Sequence, residues 1–280
     1  MTHYWVGPVN HPLTLRCFSA HWRRSLPVTP SRPEARFSKV CGVQTDMLEA
    51  EFDKFADEYR ATHARNIRLS GESPDYFAEY KVQEVAAALA QDDRACASAL
   101  DLLDFGGGIG TSLPYFRKHL AAARVTCADV SRKSLAVAAT RFPGLAKFTP
   151  FDGIALPFDD GHFDLAFAAC VFHHIEPDRH VALLGEICRV LRPSGRLFVF
   201  EHNPLNPLTA LAVKACEFDV NARLIRGGVM VRRIVEAGFA HPRLNYRVFF
   251  PKALAPLRRF EQYLSGVPIG AQYYVVARKR

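Results

Sequence analysis

The first clear pattern begins at Met47. Leu48, Phe52, Phe55 and Tyr59 recur at helical spacing, so an amphipathic helix is expected through MLEAEFDKFADEYRATHARN. A polar turn follows, Ser70-Gly71-Glu72-Ser73-Pro74. A second helix is expected from about Asp75 to Leu89, with Tyr76, Phe77 and Tyr80 in its first turns. These aromatics are suited either to packing against the body of the domain or to forming a lid over a site.

From residue 99 short apolar runs alternate with helical patterns. ALDLLDF (99–105) is a buried-strand run, and TSLPYFRKHLAAA (111–123) is helical, with Pro114 tolerated near its start. RVTCAD (124–129) is a strand. Ser131 is placed to cap a helix that runs to Phe142. KFTPF (147–151) and HFDLAFAACVF (162–172) are the third and fourth strands. Val181, Leu184, Ile187 and Leu191 form one helical face, Ser194-Gly195 a turn, and RLFVFE (196–201) a fifth strand. This order predicts a parallel sheet covered on both faces. Beyond it, NPLNPLTALAVKACEF (203–218) has two Asn-Pro breaks and then a helix, and 227–238 is an amphipathic helix closed by Gly238. RLNYRVFF (243–250) and AQYYVVARKR (271–280) read as a late antiparallel pair. The Pro- and Leu-rich link between them, containing ALAPLRRFEQYL, reads as poor in helix.

Residues 1–46 have a different texture. They hold five prolines, no sustained periodicity, six basic residues and two acids. They contain no apolar core of the secretory type. This stretch is expected to be a disordered leader, either transit-like or an upstream extension of a frame that begins in earnest at Met47. Residues 47–280 then make one domain with a helical cap at about 47–92. The leader supplies +4 of the net charge of +8, which leaves the body only mildly basic.

With 280 residues, 49% hydrophobic and 23% charged, the chain is neither fibrous nor mainly disordered. No uncharged apolar run is long enough to span a bilayer. The seven cysteines form no C-x-x-C pair, which suits free thiols in a reducing compartment and gives no zinc spacing. No metal site is expected. A cytoplasmic location is expected, or an organelle matrix if the leader is a transit peptide.

The chemistry centres on Asp104-Phe105-Gly106-Gly107-Gly108-Ile109-Gly110-Thr111, between the first strand and the first following helix. In a doubly wound sheet this turn faces the ligand crevice. A dinucleotide fingerprint needs a third glycine where Thr111 stands. Asp104 would repel a pyrophosphate but suits a cationic ammonium group. Asp129 ends the second strand, the place for a carboxylate that binds ribose hydroxyls. Asp152 follows the third strand, where it suits an exocyclic amine. A ligand with an amino acid, a ribose and adenine satisfies all three, and S-adenosyl-L-methionine is that ligand.

DFGGGIGTS, VTCADVS, FDGIALPFDDGHFDLAFAACVFHHI and LRPSGRLFVFE, in that order, resemble the successive motifs of class I S-adenosylmethionine-dependent methyltransferases. The nearest style is the small-molecule group similar to ubiquinone/menaquinone-biosynthesis methyltransferases. The resemblance covers about residues 99–202. It implies a Rossmann-like, doubly wound, seven-stranded sheet of order 3-2-1-4-5-7-6 with strand 7 antiparallel, and an N-terminal helical cap. It further implies that Gly106, Gly108 and Gly110 underlie the methionine part and that Asp104 orients the loop and the ammonium group. Asp129 would bind both ribose hydroxyls, with Val130 on the adenine. Asp152 and Gly153 would meet the adenine amine, and Ala169 and Cys170 would lie near the methionine moiety. Phe55 and Tyr59 correspond to the closing cap.

Methyl transfer is an in-line displacement, so alignment and water exclusion dominate. A base matters only for an acceptor that is protonated. His173 and His174 follow the fourth strand and Glu201 and His202 the fifth, on one sheet edge. The histidines are candidate bases and equally candidate pocket or cap residues. Phe249, Phe250, Leu254, Leu257 and Tyr263 are candidates for an apolar acceptor wall or for core. No N-P-P-Y or D-P-P-Y sequence follows the fourth strand, and no module with interleaved basic and aromatic residues is visible, so nucleic acid is a disfavoured partner. The leading expectation is a small-molecule acceptor, with a hydroxyl favoured. A protein or RNA methyltransferase and a non-catalytic assembly protein are the alternatives.

Overall fold

Pro74 opens the first described helix, where its fixed φ suits the first turn and its missing N–H costs nothing. Ser73 caps this helix, α1 (Pro74–Ala90), by accepting from the Tyr76 N–H. The computed structural model describes residues 70–91, 99–216, 219 and 221–280. The expected leader at 1–46, the helix through Phe55 and Tyr59, and part of the expected cap lie outside the described residues.

The remaining elements follow as β1 (Asp101–Phe105), α2 (Leu113–His119), β2 (Arg124–Asp129), α3 (Arg132–Arg141), β3 (Lys147–Pro150), β4 (Phe163–Ala169), α4 (His180–Val190) and β5 (Leu191–His202). Then come α5 (Pro207–Lys214), α6 (Gly227–Glu236), β6 (Phe239–Arg247) and β7 (Gln272–Lys279). The seven strands form one sheet of order β3-β2-β1-β4-β5-β7-β6. The first five run parallel, while β7 pairs antiparallel with both β5 and β6. This is the expected topology.

Side-chain alternation divides the core between the two sheet faces. Leu103, Ala166, Leu197, Val199 and Val275 pack toward α4 and α6, against Leu184, Ile187, Met230 and Ile234. Leu102, Leu165, Phe167, Phe198 and Phe200 point the other way, toward α1 and α2, against Val82, Val85 and Phe116. Fully burying each such side chain contributes about 1.5–3 kcal/mol. No described helix is long and apolar enough to cross a membrane.

Several boundaries differ from the expectation. Helix α2 stops at His119, not at residue 123, because Arg124 must already pair with Asp101 in the β1–β2 register. The Ser194-Gly195 turn is an irregularity inside one long strand. Pairing with β4 jumps from Phe163–Leu191 to Leu165–Arg196, and Ser194 takes φ 65°. A Cβ on Gly195 would lie 2.7 Å from the Arg192 carbonyl oxygen. Leu191 therefore starts β5 instead of ending the helical face, and Leu183 and Val190 complete that face. The link read as poor in helix is a chain of 3-10 turns, Lys252–Leu264, with Pro256 inside it. Glu261 anchors it by accepting the backbone N–H groups of Val248, Phe249 and Phe250. Leu254, Leu257 and Tyr263 are exposed there, so they are neither core nor cavity wall.

Candidate active site

The carboxyl ends of β1, β2, β4 and β5 open onto a cavity of about 420 Å³. That is within the roughly 300–1,000 Å³ typical of small-ligand sites. One end is made of backbone. Gly106 has φ +68°, which favours glycine, and its N–H donates to the Ala128 carbonyl at 2.8 Å. Gly107 must lack a side chain for a different reason. A Cβ there would sit 2.5 Å from Cys127 Sγ and 2.6 Å from Asp104 Oδ2.

Asp129 fixes the loop from below. Its Oδ2 accepts from the Gly108 N–H and its Oδ1 from the Ser131 N–H, both at 2.8 Å. Asp104 is buried, and its Oδ2 finds no hydrogen-bond partner among the described residues. Burial, aided by the neighbouring Asp129 charge, pushes the Asp104 carboxyl up to about 7. Nothing lies within 4 Å of a Cβ built on Gly108. Val130, Phe151, Gly153, Ala169 and Cys170 continue the lining.

Two of the expected site residues are not among those that line the cavity. Gly110 is outside the lining, and a Cβ there would press on Leu113, Ala138 and Phe142, so this glycine lets α2 approach α3. Asp152 is also outside it. Its Oδ1 accepts from the Ile154 and Ala155 N–H groups at 2.8 Å, while its neighbours Phe151 and Gly153 face the cavity.

The other end is polar at its centre and apolar at its rim. His173, His174, His202 and Asp219 line it, together with Val171, Ile175, Leu183, Phe249 and Phe250. His173 Nδ1 lies 2.5 Å from Glu201 Oε2, and its Nε2 is 3.5 Å from Asp219 Oδ1. Glu201 Oε1 accepts from the Phe172 N–H. Burial disfavours a charged His173, but Glu201 and Asp219 outweigh it and hold the ring protonated well above its ordinary range. His174 goes the other way, down to about 3, through burial and the adjacent His173 charge. Burial would raise the Glu201 and Asp219 carboxyls, but His173 outweighs it and holds both below their usual range.

Cys170 stands at φ 58° where β4 ends, with Lys81 Nζ donating to its Sγ at 3.5 Å. Burial opposes the thiolate, yet Lys81 and His202 outweigh it and bring the thiol down to about 7. Gln272, on β7, ties His202 to Tyr80 of α1. Lys81, Asp219 and Gln272 were not singled out from the sequence. Lys81 sits in a helix read only for its aromatics, and Asp219 lies just past the stretch 203–218 that was read as helix.

A seven-stranded sheet of this order, with a glycine loop after β1 and a carboxylate after β2, is the class I S-adenosylmethionine-dependent methyltransferase fold. S-adenosylmethionine is the cofactor of that class. The residues present fit it, because a buried carboxylate oxygen lacking a partner beside an open glycine loop matches an ammonium group.

Comparison with known proteins agrees. The family described as "Methyltransferase domain" matches residues 103–199, so this segment carries a methyltransferase domain. Demethylmenaquinone methyltransferase of Thermus thermophilus is 36% identical over 106 residues, covering 37% of this chain and 47% of that protein. The ubiquinone/menaquinone biosynthesis C-methyltransferase of Pseudomonas fluorescens is 33% identical over 125 residues, covering 42% and 48%. An uncharacterized methyltransferase of Mycolicibacterium vanbaalenii is 34% identical over 157 residues, covering 51% and 58%. The chain thus spans about half the length of the curated relatives it matches. Among solved structures, a Thermotoga maritima protein described as a SAM-dependent methyltransferase, possible histamine N-methyltransferase, superposes with TM-score 0.57 at 19% identity. It covers 83% of this chain and all of that one, and at that identity it speaks to the fold alone.

Proposed function

We propose that this protein transfers a methyl group from S-adenosylmethionine to a small molecule carrying a hydroxylated ring. The observation that carries the reading is the continuity of one cavity. The glycine loop, Asp104 and Asp129 line one end, and His173, His174, His202 and Asp219 line the other, with apolar walls between. The cofactor, when bound, supplies an activated methyl group on a sulfonium leaving group. The chain's own task is to hold the acceptor in line and to exclude water. Phe249, Phe250 and Leu183 are suited to a flat apolar ring.

The acceptor's proton must leave as the new bond forms. His173 already carries a proton between two carboxylates, and His174, with its pKa near 3, is a weak base. Neither is poised near neutral pH, where a general base works best. An acceptor whose hydroxyl is already acidic, such as a phenol, enol or hydroquinone, suits this pocket better than an alcohol. The relatives named for demethylmenaquinone and for ubiquinone/menaquinone biosynthesis support an acceptor of that kind.

The test is incubation of the full chain with methyl-labelled S-adenosylmethionine and a matched panel of phenols, hydroquinones, aliphatic alcohols and amines. Mass spectrometry then locates the label. Turnover on the hydroxylated rings, at oxygen or at ring carbon, is expected. Turnover confined to amines, or none with bound cofactor, would overturn the reading.

A further inference from the structure

We propose that His173, His174 and Asp219 form a binding site for a divalent transition-metal cation, zinc being the best match, in the acceptor wall of the cavity. Three ligand atoms converge there, one from each residue, all within 4.8 Å of one another. The two rings are consecutive in sequence and sit in a 3-10 turn with their centroids 4.2 Å apart. Even so, both Nε2 atoms face the same oxygen, Asp219 Oδ1, at 3.5 Å and 3.4 Å.

Those distances are informative. Good N–H···O bonds cluster at about 2.9–3.0 Å, so both contacts are long for hydrogen bonds. Around a tetrahedral cation with bonds of about 2.0–2.1 Å, neighbouring ligand atoms lie about 3.4 Å apart. The two nitrogen–oxygen separations therefore match the edge of a coordination polyhedron better than a hydrogen bond.

The surroundings agree. His173 points its Nδ1 at Glu201 Oε2, 2.5 Å away, so that Nε2, on releasing its proton to solvent, is the atom that takes the metal. A carboxylate behind a ligating imidazole is the usual outer support of such a site. Glu201 is itself completely buried and fixed by the Phe172 N–H. Two carboxylates, Glu201 and Asp219, supply the charge that a dication offsets. Two imidazoles and one carboxylate favour zinc, cobalt or ferrous iron over magnesium or calcium, which take oxygen sets. Three protein ligands facing a cavity leave a fourth position for an outside oxygen.

Under the methyl-transfer reading, on which this last step rests, that oxygen is the acceptor's hydroxyl. A bound cation would lower the hydroxyl pKa so that its proton passes to solvent water and the oxygen is ready to take the methyl group.

The experiment uses the untagged full chain, stripped with a chelator and titrated with zinc by calorimetry and with cobalt by visible absorption. One cation per chain is expected, with the intense ligand-field bands of a tetrahedral site. His174→Ala and Asp219→Ala should each weaken zinc at least tenfold, and Glu201→Gln about 10–100-fold. Asp219→Asn serves if Asp219→Ala fails to fold. S-adenosylhomocysteine binding, measured on every variant, reports that the fold is intact. No stoichiometric cation in the wild type, or equal affinity in folded His174 and Asp219 variants, would overturn the site. Zinc binding without S-adenosylhomocysteine binding would instead sink the methyl-transfer reading and leave the metal site standing.

Discussion

The carboxyl of Asp104 is expected to couple cofactor binding to pH. With its pKa raised to about 7 by burial and by Asp129, it is mostly protonated at pH 6 and mostly ionised at pH 8. An ammonium group binds the ionised form. One part in about eleven is ready at pH 6 and about ten in eleven at pH 8, so affinity should rise about tenfold, or ~1.4 kcal/mol. Stability without ligand should run the opposite way. A carboxyl raised in the folded state keeps its proton there while the unfolded chain has lost it, so the folded form binds more protons between about pH 4 and 7. Stability therefore falls as pH rises through that window, by up to ~4 kcal/mol for a shift of about three units. The assay is calorimetric titration of S-adenosylhomocysteine at pH 6, 7 and 8, beside thermal denaturation of the ligand-free chain from pH 4 to 8. Asp104→Asn should flatten both slopes and weaken binding at pH 8. A flat wild-type affinity, or an equal slope in Asp104→Asn, would refute the reasoning.

Other perturbations test separate parts of the cavity. Gly107→Ala places a Cβ against Cys127 and Asp104 and should cost about 1–3 kcal/mol in denaturation, with weaker cofactor binding. Asp129→Ala strips the acceptor from the Gly108 and Ser131 N–H groups; a cost of about 1–3 kcal/mol and loss of S-adenosylhomocysteine binding are expected in calorimetry. Cys170, brought down to about 7, should alkylate at pH 7 roughly tenfold faster than an ordinary thiol; mass spectrometry should show slowing in Lys81→Met and protection by S-adenosylhomocysteine. Glu261→Ala orphans three backbone donors and should lower the melting temperature, a loss of about 2–4 kcal/mol.

What the sequence made legible followed the range of the interactions. Strand β1, its glycine loop and Asp129 lie within 30 residues of one another, and each is shaped by local backbone needs. A turn that must bend sharply demands Gly106, and a strand end that must hold the loop demands an acceptor at Asp129. The ends of α2 and the bulge in β5 were hidden because sheet register overrides local helix and turn preference. The 3-10 segment was hidden because its anchor, Glu261, acts on backbone 11–13 residues away.

The histidine end of the cavity depends on longer separations. His173 leaves β4, Glu201 ends β5, Asp219 follows α5 and Phe249 follows β6. No window of about 30 residues contains more than two of them, so only the sheet order brings them together. The same distance explains why a histidine base looked natural from sequence. Read alone, His173 has an ordinary imidazole. Placed between Glu201 and Asp219 with no cation bound, it holds its proton well above the ordinary range, and that charge pushes His174 in the opposite direction. The protonation of each ring is thus a property of the cluster. Changing Glu201 should alter the chemistry at both rings, although its side chain is completely buried and, of the two rings, bonds directly to that of His173.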